Sequence, residues 1–416
     1  MTRADKPSRL AMTQRPNASV YERLGVPTIV NAHTTATRLS GGIMRPEVAD
    51  AMREATQWNV DMATLEARAS ELIAGHTGAE AGYVTAGAAA ALLLGTAACV
   101  TGLDPARMNR LPDTTGMKNQ VVVPRSHRNF YDHAVRGAGV TLVEVGLSDR
   151  YAGAGVRDTE AWEIAAAITE HTAAVLYVAG PDARPPLPEV VAVAHAAGVP
   201  VLVDAAAQLP PADNLKRFIA EGADLVCYSG GKAIGGPQAS GILCGKRDLV
   251  MAAALQHLDQ DIHWEQWNPP PALFDKARIP GLPHHGIGRP AKVGKEAVVG
   301  LLTALDLFVA EGDDTRIDRW TVQMEALAAA LGGIRHATVT LIRDRRRPSA
   351  PMVQLALDED AAGLTALDLV RRLQDGEPSV HANPSRVHEG SVLFSPVALQ
   401  PGDEMVIAER VHAILG

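Results

Sequence analysis

Cysteine is scarce in this chain: Cys99, Cys227 and Cys244 are the only three among 416 residues. An odd number leaves at least one thiol unpaired, and the spacing offers no metal-binding doublet, so no disulfide framework and no metal site is expected. Two of the three lie in apolar, strand-like runs and read as small core residues, which favours a reducing, cytoplasmic setting. An excess of basic charge is also missing. With 39 Lys and Arg against 47 Asp and Glu, the net charge is −8, and no large nucleic-acid footprint is expected. Residues 1–20 (MTRADKPSRLAMTQRPNASV) are polar and proline-bearing, without the apolar core of a secretory signal. One long stretch, Tyr83–Leu103, is apolar and nearly uncharged. Alanine dominates it and Gly87 and Gly95 interrupt it, so it predicts a buried helix and no membrane span.

What remains is an ordinary globular composition, 47% apolar and 21% charged, with enough length for two or three domains. From about Val121, short β-branched runs alternate with helical stretches. Strands are predicted at Val121–Val123, Val140–Val145, Ala174–Val178, Val199–Val203, Leu225–Tyr228 and Gly241–Leu243. Amphipathic segments such as Thr159–Glu170 and Pro188–Ala197 lie between several of them. Continuous apolar strands alternating with helices imply an α/β fold with a mostly parallel sheet covered on both faces. An irregular Trp-, His- and Pro-rich stretch follows at residues 263–290, then one long helix over Lys292–Ala310. The expected organisation is an amino-terminal arm (1–45), a large domain (46–310) and a small carboxy-terminal α+β domain (311–416). The basic run Arg343–Arg347, next to Pro348, reads as a solvated turn. No internal repeat is present.

Two segments carry the strongest chemical signal. Residues 199–206 (VPVLVDAA) and 223–231 (ADLVCYSGG) each end an apolar run in a polar residue beside small ones, with a helical stretch, Leu215–Glu221, between them. Parallel strands joined by a crossover bring their carboxyl ends to one sheet edge, where ligands bind in open α/β folds. Asp204 and Lys232 would then face one crevice. That pair is what pyridoxal 5'-phosphate requires: a lysine for the Schiff base and an acid that keeps the pyridine nitrogen protonated. Taken singly, an Asp ending a strand is often a helix cap and a Lys after glycines a solvated loop residue; order, spacing and flanking glycines favour the joint reading.

Further candidates follow from that edge. Ala86-Gly87-Ala88-Ala89, between a strand-like piece and the Ala/Leu helix, could bring backbone amides to the cofactor phosphate, with Ser229 as a further ligand. His127, just past a strand end, could stack on the pyridine ring, with Arg128, Tyr131 and His133 as competitors. Gln208 could donate to the ring hydroxyl. Arg38, Arg289 and Arg386 are candidates for a substrate carboxylate, because a guanidinium fork fits it bidentately. Lys292 and Lys295, with Arg289, could hold a substrate phosphate.

The segments DAAAQLPP (204–211) and SGGKAIGGPQASGILCGKRDL (229–249) resemble the selenocysteine synthase branch of fold type I pyridoxal phosphate enzymes. Three others, TRLSGG (37–42), RLPDTTGMKNQVVV (110–123) and GIGRPAKVGKEAVVGLL (286–302), resemble the D-glucosaminate-6-phosphate ammonia-lyases within it. The resemblance runs from about Tyr21 to the carboxy terminus. It implies an aspartate-aminotransferase-like large domain, a small carboxy-terminal domain and a homodimer or higher oligomer. It makes Lys232 the Schiff-base lysine, Asp204 the pyridinium partner, residues 86–89 and Ser229 phosphate ligands, and Arg386 the holder of a substrate carboxylate. The expected function is a lyase acting on a small amino acid by Cα proton abstraction and β-elimination, giving a 2-keto acid and ammonia. A racemase or epimerase remains an alternative. The short polar arm and acidic balance speak against a tRNA-dependent selenium transferase.

Overall fold

A computed structural model describes residues 19–147, 158–344 and 349–416. Residues 1–18 of the expected arm and Arg345–Arg347 of the basic run lie outside the described residues. The chain divides into two compact units, one of residues 40–315 and a smaller one that joins residues up to 39 with 316–416.

In chain order the strands are β1 (Ile29–Ala32), β2 (Ala81–Thr85), β3 (Gln120–Pro124), β4 (Thr141–Val145), β5 (Thr172–Val178) and β6 (Val201–Asp204). They continue with β7 (Leu225–Ser229), β8 (Gly241–Gly245), β9 (Ala337–Ile342), β10 (Met352–Leu357), β11 (Ser379–Ala382) and β12 (Ser391–Phe394). The larger unit is built on a seven-stranded sheet in the order β2-β8-β7-β6-β5-β3-β4. Strands β3 to β7 are mutually parallel, whereas β8 runs antiparallel to both β7 and β2. The reversal at β8 has a simple cause. Residues 230–240 contain no helix, and without a crossover the chain can only turn back beside the strand it has left.

Strands β6, β7 and β8 are buried almost throughout, as expected for a sheet covered on both faces. One face packs Leu202, Leu225, Leu243 and Cys227 with Leu92 and Leu94; the other packs Val201, Val203, Val226 and Ile242 with Ile73, Val298 and Leu301. The stretch Tyr83–Leu103, read as a buried helix with a strand-like piece at its start, divides. Its first residues belong to β2, and only Ala88–Thr101 is helical. A short, fully apolar run is compatible with either state, and the sheet claims it here. Among the described residues no helix is long and apolar enough to cross a membrane.

The edge strand β2 is closed by helix α1 (Met62–Thr77). The Gly82 amide donates to Ser70 Oγ at 3.0 Å and the Val84 amide to Glu66 Oε2 at 3.0 Å, so the outer donors of the edge are satisfied by side chains. Glu66 is wholly buried. Burial pushes its carboxyl up to about 8, against the opposing effect of the Val84 amide, so it is a neutral acid at pH 7.

In the smaller unit, β12, β10 and β9 form an antiparallel sheet, and β1 pairs in parallel with β11 from Ile29↔Ser379 to Ala32↔Ala382. Residues 29–32 are thus a strand of this unit and do not form part of a separate arm. Met324, Leu327, Val353, Leu355, Leu369 and Ile407 fill its core. The long helix of the larger unit spans Lys295–Glu311, and a second helix, Asp313–Ala330, starts after Gly312.

A prediction follows from Glu66. Between its ordinary pKa of 4.5 and the folded value of about 8, the folded chain holds a proton that the unfolded chain has released. Its contribution to stability therefore falls as pH rises through that window, by roughly 3–5 kcal/mol in full. Glu66→Gln keeps an acceptor for Val84 and removes this dependence. At pH 9 its denaturant midpoint should exceed that of the wild type, and at pH 5 the two should be close; parallel pH profiles would contradict a neutral Glu66.

Candidate active site

The carboxyl ends of β3, β5, β6 and β7 lie along one edge of the sheet, and the register fixes which residues meet there. Val178 of β5 is paired with Asp204 of β6, and Asp204 with Cys227 of β7. Ser229, the last residue of β7, faces Gly241, the first of β8. A Cβ on Gly241 would collide with the backbone of Gly87 and Ala88, so this glycine lets the loop after β2 settle directly against β8. The loop opens helix α2 (Ala88–Thr101), whose first turn has no side-chain cap. Gly95 of α2 sits against Leu202, Leu225 and Leu243, which lays the helix on the face of the sheet that also carries Asp204. The start of α2 thus presents amides and the positive end of its dipole beside the ends of β7 and β8.

Lys232 stands in a loop closed by backbone bonds. The Gly230 amide donates to Ser240 O (2.8 Å), the Gly236 amide to Gly230 O (2.9 Å) and the Gly235 amide to Lys232 O (3.0 Å). A side chain at Gly231 would overlap the backbone of Gln238, so the two limbs approach too closely for any other residue. Lys232 is half-buried, and that burial draws its ammonium below the usual lysine range, partly offset by Asp204. Asp204 is buried. Burial raises its carboxyl above the ordinary range; the Ala206 amide (3.0 Å from Oδ1) and Lys232 oppose the rise, and Asp132 adds to it. Each member of the pair is destabilised in its charged form and partly rescued by the other, the pattern of a site that awaits a further partner.

His127 is buried at the same edge. Its Nδ1 accepts the Val178 amide at 3.3 Å, and its ring meets Tyr177 edge-on with centroids 4.8 Å apart. The Nδ1 bond leaves the ring proton of the neutral imidazole on Nε2. A cavity of about 290 Å3 adjoins it, lined by residues 126–129 and 178–183. The competitors are committed elsewhere or exposed. Arg128 is held by Asp132 and Glu144, Tyr131 is exposed, and His133 contacts Arg136 at 3.1 Å on the surface. Gln208 is half-buried in the turn after β6, where its carbonyl accepts from Asn214 Nδ2 at 2.6 Å.

The three arginines have different surroundings. Arg289, in the larger unit, is held by Asp259 at 3.0 Å. Arg386, in the smaller unit, is exposed and donates to Gln354 Oε1 at 3.1 Å. Arg38, also in the smaller unit, is exposed in a 3-10 turn over 37–39. Lys295 is paired with Glu296. Sequence reasoning passed over Tyr83, whose hydroxyl meets His257 Nδ1 at 2.7 Å inside the core, and His33 and His381 of the smaller unit. No spacing connects residues 174 positions apart, so only the fold could reveal the first pair.

These residues fit pyridoxal phosphate. An uncapped helix start beside a glycine-lined approach suits the phosphate. A buried acid suits a protonated ring nitrogen, and an amine drawn toward its neutral form suits attachment to the carbonyl carbon.

Comparison with known proteins gives the same frame. The family model for L-seryl-tRNA selenium transferase matches residues 36–262. A 5'-C-glycyluridine monooxygenase-decarboxylase from Streptomyces sp is 33% identical over 95% of this chain and 92% of its own. A D-glucosaminate-6-phosphate ammonia lyase from Salmonella typhimurium (strain 14028s) is 30% identical over 95% of this chain and 98% of its own. The solved structure of a D-glucosaminate-6-phosphate ammonia-lyase superposes with a TM-score of 0.79 at 29% identity, covering 96% of this chain and 98% of the other. The chain has the fold type I architecture and belongs to the selenocysteine synthase family of pyridoxal phosphate-dependent enzymes.

Proposed function

We propose that the protein is a pyridoxal phosphate-dependent lyase that takes the Cα proton from a small β-hydroxy amino acid and eliminates the β-substituent, releasing a 2-keto acid and ammonia. The observation that carries this reading is the mutual placement of Lys232 and Asp204, a half-buried amine and a buried acid at one sheet edge, each shifted toward its neutral form. When bound, the cofactor withdraws electron density from the substrate Cα, which makes its proton removable. The chain supplies the rest. Lys232 Nζ, whose proton affinity is reduced by burial, takes the Cα proton as general base. Asp204 holds the proton at the ring nitrogen. The amides at residues 86–89 and Ser229 bind the phosphate, and His127 flanks the ring. Breaking Cα–H and Cβ–O forms the Cα=Cβ bond and releases water. Hydrolysis of the resulting enamine takes up one water and frees ammonia, so the overall change needs no oxidant.

A second reading is favoured by the Streptomyces relative, a monooxygenase-decarboxylase. There Cα would lose its carboxylate as carbon dioxide and take one oxygen atom from dioxygen, turning the amine into an amide, while the other oxygen atom leaves as water.

Oxygen separates the two. With D-glucosaminate 6-phosphate and other β-hydroxy amino acids as substrates, the lyase reading predicts ammonia and keto acid in equal amounts, at the same rate with or without air. Product formation that stops under nitrogen and is matched by carbon dioxide release would establish the second reading instead.

The roles of the pair are tested separately. Lys232→Ala is expected to lose covalent cofactor attachment on borohydride treatment and to lower kcat by roughly 100- to 10,000-fold. Asp204→Ala is expected to weaken cofactor binding by about 10- to 100-fold, the value of one charge-assisted hydrogen bond. Retention of both properties in either variant would remove it from the assigned role.

A further inference from the structure

The smaller unit carries a set of groups that the proposed chemistry does not use. His381 lies in β11, paired with Asn31 of β1. His33 follows Asn31 by two positions, and its backbone amide is fastened to Asn31 Oδ1 at 3.1 Å. Arg38 comes next, in the 3-10 turn over 37–39.

The hydrogen bonds define the state of His381. Ser379 Oγ donates to Gln374 O at 2.7 Å, so toward His381 Nε2, at 3.2 Å, it acts as acceptor. The ring proton therefore sits on Nε2 and Nδ1 carries a lone pair. Nδ1 of His381 and Nδ1 of His33 are both shielded from water without a partner in another residue among those described, and the backbone of His33 acts on its own ring in the sense that favours the charged form. The charged groups that act on these rings are Arg38, which bears on both, and His381, which bears on His33; no carboxylate is among them. Burial and then Arg38 hold both imidazoles below the ordinary histidine range. A guanidinium and two neutral imidazoles stand together without an anion.

We propose that His33, Arg38 and His381 form an oxyanion site for a phosphate or carboxylate group, and that filling it draws a proton onto an imidazole. A guanidinium fork matches two oxygens of such a group. Once paired, the anion cancels the charge that kept the rings neutral and offers the acceptor that a second N–H requires. Binding and proton uptake are then linked, and the site holds its ligand more tightly as pH falls. The binding itself is independent of turnover.

Inorganic sulfate is the probe, because it stays a dianion between pH 6 and 8. Titration calorimetry on the holoenzyme, in two buffers of different ionisation enthalpy, should show saturable binding with uptake of about one proton, and Kd rising about tenfold per pH unit. Arg38→Gln should weaken sulfate by roughly tenfold or more. His33→Asn and His381→Asn should retain binding while at least one of them loses the pH slope. Near-ultraviolet circular dichroism and retained cofactor absorbance check that the variants are folded. Competition separates the two ligand groups: if inorganic phosphate displaces sulfate and acetate does not, the site takes a phosphate; if acetate displaces it as well, the site takes a carboxylate. Absence of saturable sulfate binding, or a slope unchanged in both histidine variants, would overturn the proposal. Because sulfate binding is read without catalysis, that failure would leave the lyase reading standing, and failure of the lyase reading would leave the site standing.

Discussion

A carboxylate buried at the end of a central strand is the constraint from which the rest of the larger unit follows. Asp204 is removed from water, receives one backbone amide at 3.0 Å, and feels one cation, Lys232, among the described groups that act on it. Burial of an anion with so little compensation is costly. A cationic ring nitrogen set against the carboxylate would stabilise the ionised acid and at the same time hold the nitrogen in the electron-withdrawing state that amino-acid chemistry needs. The unfavourable position of Asp204 and the function of the cofactor would then be two sides of one interaction.

The sheet makes that interaction possible by topology. Parallel strands deliver His127, Asp204 and Ser229 to one edge, and the antiparallel return of β8 brings Gly241 into contact with the loop that starts α2. The loop holding Lys232 is short because it joins antiparallel neighbours, and it is tight because its backbone bonds to itself. A helix start, an acid and an amine are thereby fixed from three separate stretches of chain, none of which forms a site alone.

Much of this is visible in the sequence because burial on both faces writes continuous apolar strands. VLVD and LVCYS announce their strands, and their polar last residues announce the edge. The predicted strand at Gly241–Leu243 exists, but its antiparallel direction depended on the missing crossover in residues 230–240. Composition alone left Tyr83–Leu103 as one buried apolar stretch, since an all-buried strand and an all-buried helix have the same hydropathy; the strand-like Gly82–Val84 before the small residues is what marked the division. Partners distant in sequence were the least legible. The pairing of Arg289 with Asp259, the capture of Arg128 by Glu144, and the approach of His33 to His381 all depend on folds of the chain that no local pattern encodes. For that reason the shared edge of Asp204 and Lys232 was legible in the sequence, whereas the partners of the candidate arginines were not.

The claim at the centre is that Asp204 keeps the pyridine nitrogen protonated. Nitrogen-15 NMR of the enzyme loaded with ring-labelled pyridoxal phosphate measures this directly. The account predicts a pyridinium shift at pH 7 to 8 in the wild type and a shift of the unprotonated nitrogen in Asp204→Asn. An unprotonated nitrogen in the wild type, or the same shift in both proteins, would contradict it.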